Sequence, residues 1–178
     1  FYITIQDIEE QFVEGWNLVF LETNNAGFAS NVTSMLNAFN GEDEELEIER
    51  QIMLMTTNKN RAWESENVSN LSLSKLQFHY PSANKPQDEN ASNSFVKAYE
   101  RRFYTTPNRY AIRGFDLTMD VLLRLATAND LYDASSSDIE TEYVENKFRY
   151  GKKMFGGYFN EAMYIVKFDN LKIVEVKQ

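Results

Sequence analysis

Apolar positions fall into blocks of two kinds along the chain. In "IQDIEEQFVE" (5–14), Ile5, Ile8 and Phe12 recur three and four apart with acids opposite, which predicts a helix that Gly15 can end. "NLVFL" (17–21) is a short, mostly apolar run of the sort that forms a strand buried on both faces. Phe28, Val32, Met35, Leu36 and Phe39 then share one helical stripe, and "IMLM" (52–55) makes a second strand. Strand, helix and strand at this spacing predict a right-handed βαβ unit. The acidic "GEDEELE" (41–47) between them is most simply a solvated loop.

Residues 58–94 are polar and irregular, broken by a short strand "LQFHY" (76–80) that is expected to stop at Pro81. Residues 82–94 read as loop, with Asp88 or Ser94 able to cap the helix that follows. That helix carries Phe95, Tyr99 and Phe103 at four-residue intervals and breaks before Pro107. After Gly114, the residues Phe115, Met119, Leu122 and Ala126 recur at helical spacing, and Leu123 and Leu125 widen the predicted apolar face. The segment 133–142 reads as a polar loop. Finally "AMYIVKF" (162–168) and "LKIVEV" (171–176) flank Asp169-Asn170, a two-residue link suited to a type I′ hairpin, with Tyr164, Val166 and Phe168 on one face. Ile173 is one of the apolar positions on the returning strand. The pattern predicts an α/β fold with a parallel sheet and a C-terminal antiparallel β-hairpin.

At 178 residues the chain has the size of one domain or one large lobe, and 43% hydrophobic content can build a core. The net charge of −9 disfavours nucleic acid and anionic membranes as partners, and no basic patch with interleaved aromatics is expected to offset it. With no cysteine there is no disulfide framework, thiol catalysis or Cys-ligated zinc. No apolar run reaches the roughly 18 residues that span a bilayer. The first residues have neither an initiator Met nor a signal-peptide layout, so either processing removed the start or the chain is a piece of a longer protein. The second is the expectation. Four Asn-x-Ser/Thr triplets, at Asn31, Asn67, Asn70 and Asn90, are glycan acceptors in a secreted eukaryotic protein and chance matches in a chain this rich in Asn and Ser.

Catalytic signals are weak. The one histidine, His79, lies between aromatics in "FHYP" and reads as a packing or hydrogen-bonding residue. The acids of 42–49 lack the alternation and turn glycine of a calcium loop, and there is no phosphate-cradling glycine motif. No residue set supplies a nucleophile, base and oxyanion donors together, so the chain is expected to have no enzymatic activity, cofactor or metal. The loops after the apolar strands carry more chemistry: "ETNN" (22–25), "TTNKNRAW" (56–63) and "HYPSANK" (79–85). Ligands of open α/β sheets sit beyond the carboxyl ends of the strands. The expected contacts are therefore Glu22, Thr23, Thr56, Asn58 and Tyr80, and their mixture suits a zwitterionic small molecule.

Three stretches carry a family resemblance: "NLVFLETNNAGFASNVTSMLNAF", "SFVKAYERRFYTTPNRYAIRGFDLTMDVLLRLA" and "FGGYFNEAMYIVKFDNLKIVEV". The middle one sets Phe95, Tyr99 and Phe103 before Pro107, then Tyr110-Ala111, then Gly114-Phe115-Asp116 at the head of a long helix. In these the chain resembles the C-terminal part of a type I periplasmic binding protein of the Leu/Ile/Val-receptor group. The nearest variant is the flavobacterial (Bacteroidetes) one often associated with LysM peptidoglycan-binding modules. The resemblance implies a three-layer, flavodoxin-like (Rossmann-like) lobe over 1–178, a fragment of a two-lobed protein, with inter-lobe crossings near 104–115 and 153–160. It also implies a solute-binding domain for an amino acid or peptide-like ligand, in the periplasm or cell envelope of a Gram-negative bacterium. Its implied partners are the ligand, the missing N-terminal lobe, and an ABC permease or sensor; an exposed lobe surface would also allow a homodimer. Lys59 and Arg61 stand where an amine-binding acid would be expected. That keeps open a second reading, an envelope or peptidoglycan-associated scaffold that has lost small-ligand binding.

Overall fold

A computed structural model describes residues 4–43, 48–86 and 93–177. Asp88, Asn90 and acids 44–47 of the cluster lie outside the described residues. By its internal contacts the chain divides into two units, Phe1–Pro81 with Ile165–Gln178, and Ser82–Tyr164.

The first unit is built on a parallel βαβ motif. Strand β1 (Gly15–Phe20) pairs with β3 (Ile48–Met55) in parallel, from Gly15↔Arg50 to Phe20↔Met55, and helix α2 (Ala26–Phe39) connects them. Strand β4 (His79–Ser82) joins β3 in parallel at Met55↔His79. The sheet runs β1-β3-β4-β9-β10, with β9 (Tyr164–Asp169) and β10 (Lys172–Glu175) antiparallel. This α/β architecture, with a parallel-dominated sheet and a terminal hairpin, is the one the apolar pattern predicts.

Side-chain alternation decides which face becomes core. Ile52 and Leu54 of β3, Phe78, and Val166 and Phe168 of β9 are buried with Ala29, Val32, Met35 and Leu36 of α2. Trp63 closes this core, stacked on Phe78 at 4.4 Å between ring centroids. Each such aliphatic or aromatic side chain contributes about 1.5–3 kcal/mol on burial. On β1 the residues one position out of phase, Trp16, Leu18 and Phe20, are 64%, 56% and 59% exposed. They are in register with Gln51, Met53 and Met55, so this apolar row lies on the sheet face opposite the core.

Several local expectations are corrected. Helix α1 is only Ile5–Glu9, begun where the Asp7 carboxylate accepts from the Thr4 N–H and hydroxyl. Gly15 opens β1 at φ +83° instead of ending that helix. The acidic loop begins as strand β2 (Gly41–Asp43), antiparallel to β3. The polar stretch after β3 holds a 3₁₀ turn (Arg61–Glu64) and helix α3 (Asn70–Lys75), capped by the side chains of Asn60 and Ser69. Pro81 lies inside β4 and does not end it. The hairpin turns on Asn170 and Leu171, at φ 48° and 65°, one residue beyond Asp169-Asn170. Positive φ at both central residues is the type I′ signature.

The second unit is helical with small hairpins. Helix α4 (Ser94–Phe103) is capped by Asn93, whose side chain accepts from the Phe95 and Val96 N–H groups, so Ser94 is the first helical residue and not the cap. Tyr104 ends it in the left-handed region, at φ 55°. Asn108 caps helix α5 (Arg109–Thr127), and Phe95 stacks on Phe115 at 4.1 Å. Helix α6 (Leu131–Ser135) and strand β5 (Thr141–Glu142) occupy part of the stretch 133–142 expected to be loop, and β5 pairs with β6 (Lys147–Phe148). Strands β7 (Tyr150–Lys152) and β8 (Tyr158–Asn160) form the last hairpin of the unit.

Helix α5 reverses the predicted face. Its buried residues are Ile112, Asp116, Asp120 and Arg124, while Leu117, Leu122, Leu123 and Leu125 are exposed. The helical period is as predicted, but the buried stripe is polar because the adjoining loops fill its hydrogen bonds. Asp116 accepts from the Val144, Glu145 and Asn146 N–H groups and from Asn146 Nδ2 at 2.8–3.0 Å. Asp120 accepts from the Thr141, Tyr143 and Tyr150 hydroxyls, and Arg124 donates to the carbonyls of Ala134, Ile139 and Phe148. Satisfied in this way, buried charges are tolerated.

Lys97, Arg101, Arg102, Arg109 and Arg113 are all exposed on α4 and α5, beside exposed Phe103, Tyr104 and Tyr110.

Candidate functional site

The carboxyl ends of β1, β3 and β4 are adjacent because the three strands are parallel neighbours. Their loops place the predicted contact residues as follows. Glu22 is exposed just beyond β1, and its Oε1 accepts from the Thr57 N–H. That bond holds the Glu22 carboxyl below the ordinary carboxylate range. Thr23 follows, its hydroxyl accepting from the Asn25 N–H at 3.0 Å. Thr56 is buried, its N–H donating to the His79 carbonyl. Its hydroxyl accepts from the Asn58 N–H at 3.3 Å, while Asn58 itself stays exposed. Tyr80 is buried on β4, its ring tilted against Phe78 and Phe168.

Four of the five, Glu22, Thr23, Thr56 and Asn58, therefore converge in two loops joined to each other. Tyr80 lies one layer deeper. It meets the site through Lys59, whose Nζ is 5.3 Å from its ring centroid and 2.9 Å from Glu64 Oε1. Burial, with Glu64 adding to it, pushes the Tyr80 phenol up. Lys59 in turn holds Glu64 below its usual range.

Sequence reasoning missed Asn60, which does most of the joining. Its Nδ2 donates to the Thr23 carbonyl and Asn24 Oδ1 at 2.8 and 2.9 Å, and its Oδ1 accepts from the Ala62 N–H. The available signal was an Asn two residues before Ala-Trp, the place of a helix cap. Asn25 caps α2 by accepting from the Phe28 N–H, so that helix starts at the rim of the site. His79 is buried, its Nδ1 in contact with the Gln77 carbonyl. Burial is the main cause lowering its pKa, so it is a neutral packing residue, as its aromatic setting predicts.

Chemically the arrangement offers a carboxylate, hydroxyls, amides and the 59–64 ion pair at the end of a parallel sheet. It holds no nucleophile paired with a base. Among the described residues no three His, Asp or Glu side chains form a metal-binding group, and no helix is long and apolar enough to cross a membrane.

No protein-family model and no curated protein matches the chain. Two solved structures are similar. One is an ABC transporter substrate-binding protein from Desulfitobacterium hafniense in complex with Leu, at 16% identity over 99% of this chain and 49% of that one, TM-score 0.45. The other, assigned as a branched-chain amino acid ABC transporter, is from Rhodospirillum rubrum, at 12% identity over 97% of this chain and 47% of that one, TM-score 0.48. The chain spans about half the length of each.

Proposed function

We propose that this chain is the C-terminal part of a two-lobed solute-binding protein of the type I periplasmic class, and that its strand-end loops contact a small polar ligand such as an amino acid or short peptide. The observation that carries this reading is the convergence of Glu22, Thr23, Asn58 and Asn60 beyond the carboxyl ends of adjacent parallel strands. A ligand amine would meet Glu22, and a ligand carboxylate would meet Lys59 and the amides. The remainder of the protein would supply the other contacts and cover the apolar residues exposed on β1 and α5. Delivery to an ABC permease or to a sensor in the periplasm or envelope follows from the same reading.

One observation favours the scaffold alternative. Glu22, Thr56 and Asn60 already bond to loop partners, which a ligand would have to displace. A thermal-shift screen against amino acids and dipeptides separates the two, because a ligand at a hundredfold excess over its Kd stabilises by about 2.7 kcal/mol. A shift lost in Glu22→Ala supports the ligand site. No shift from a well-folded sample supports the scaffold.

A further inference from the structure

Alternate N–H groups along β3 and just past its end face the β4 side of the sheet. The Thr56 N–H donates to the His79 carbonyl on β4, and the Leu54 N–H donates to the Leu76 carbonyl at the end of α3. Strand β4 begins only at His79, level with Met55, so it cannot serve the next group in the row. That group, the Ile52 N–H, donates at 2.7 Å to Oδ1 of Asn40, the residue that follows α2. An amide side chain thus supplies the rung where no strand reaches, at a residue that is itself buried. The Nδ2 of the same amide donates to the Lys75 carbonyl at 3.3 Å, one of those that the end of α3 leaves without a helical partner. Asn40 therefore ties α2, β3 and α3 together.

The turn from α2 into β2 takes Gly41 to φ +125°, a conformation that a side chain opposes, so the neighbour of Asn40 is held to glycine. Asn40 is the one asparagine in the sequence that glycine follows. The side-chain carbonyl carbon of an asparagine is open to attack by the backbone nitrogen of the next residue, and glycine, with no Cβ, lets that nitrogen approach. We propose that Asn40-Gly41 is a self-modification site, a deamidation that the chemistry of the dipeptide favours and the folded structure holds back.

In this reaction the Gly41 nitrogen gives its proton to solvent and bonds to Asn40 Cγ. The Cγ–Nδ2 bond breaks, and Nδ2 takes up a proton and leaves as ammonia. Water then opens the succinimide at either carbonyl to give aspartate or isoaspartate, with no change of oxidation state. Ring closure needs Cγ to turn onto the Gly41 nitrogen, and the bonds to Ile52 and Lys75 oppose that turn, so local opening sets the rate. Either product loses the donor to Lys75 and adds a negative charge next to Glu42 and Asp43. Isoaspartate also adds a carbon to the main chain and shortens the side chain, which withdraws the acceptor from the Ile52 N–H. The step is intramolecular, so it requires no ligand or partner and is independent of the strand-end loops.

The test follows every asparagine by peptide mapping and mass spectrometry, with isoaspartate resolved from aspartate by chromatography. The full-length protein is kept in one mildly alkaline buffer, folded or in denaturant, alongside the synthetic peptide LNAFNGED. In the unfolded chain, Asn40 is expected to convert faster than any other asparagine. In the folded protein it should convert at least about tenfold more slowly than in the peptide. Leu36→Ala, which empties a buried position on α2, should speed conversion by favouring opening. If that variant does not fold, urea below the unfolding transition takes its place. Separated isoaspartate-bearing protein should exchange the Ile52 amide faster than unmodified protein, while the Thr56 amide keeps its rate. Equal rates in the folded protein and the peptide would overturn the proposal, because the two bonds would then gate nothing. Conversion spread evenly over the asparagines of the unfolded chain, or an Ile52 amide indifferent to the modification, would overturn it as well.

Discussion

Arg124 Nε donates to Asp120 Oδ2 at 3.0 Å, one turn along α5, and both side chains are buried. The pair is also locked to the loops of its unit by three carbonyls, three hydroxyls and the Tyr150 ring, 4.7 Å from the guanidinium carbon. Truncating one partner leaves the other buried and uncompensated. Arg124→Met is expected to cost about 3–5 kcal/mol in denaturant unfolding. The double replacement Asp120→Leu/Arg124→Met should lie closer to the wild type than the sum of the single costs. A single variant within experimental error of wild type would show that the pair does not organise this unit.

Tyr150 reports on the same network. Burial, followed by the hydrogen bond to Asp120, raises its phenol to about 12. A raised folded pKa contributes stability that is complete below the ordinary value of 10.0 and is lost as pH climbs toward 12. Alkaline titration followed by tyrosinate absorbance should show a late-ionising phenol that disappears in Tyr150→Phe. An unchanged titration curve in that variant would refute the assignment.

Glu22 behaves in the opposite sense. Its folded pKa lies below 4.5, chiefly through the Thr57 N–H, so its contribution is present above that value and is lost as acid protonates the folded carboxylate. Glu22→Gln should melt below the wild type at neutral pH, and the gap should close on acidification. A gap independent of pH would mean that the loop contact does not depend on charge.

Asn60 ties the β1 loop to the β3 loop and caps the 3₁₀ turn. Asn60→Ala should therefore cost about 1–2 kcal/mol and speed hydrogen exchange at Ala62. Asn60→Asp keeps the capping oxygen and loses the donor, so it should slow exchange at Ala62 relative to the alanine variant while leaving the Thr23 carbonyl unbonded.

How much was legible depended on whether a residue's partners were near it in sequence. The apolar runs at 17–21 and 52–55 and the stripe of α2 revealed the βαβ unit through local patterning, although β1 leaves Leu18 and Phe20 exposed on one face where burial on both was expected. Tyr164, Val166 and Phe168 were readable for the same reason. Helix α5 was misread because Asp116 and Asp120 are satisfied by groups 21 to 30 residues away, which no local pattern reveals. In the candidate site, the loops followed from strand order, but Asn60's link to Thr23 crosses 37 residues and depends on β1 and β3 being neighbours. The short hairpins β5-β6 and β7-β8 carry too few apolar residues to signal themselves.

The central claim is that the strand-end loops receive a small polar ligand. Amide chemical-shift mapping with an amino acid or dipeptide that stabilises the protein tests it most directly. The account predicts saturable shifts concentrated at residues 22–25, 56–60 and 80, abolished by Glu22→Ala while the rest of the spectrum is preserved. Shifts that cluster away from these loops, or that persist unchanged in Glu22→Ala, would contradict it.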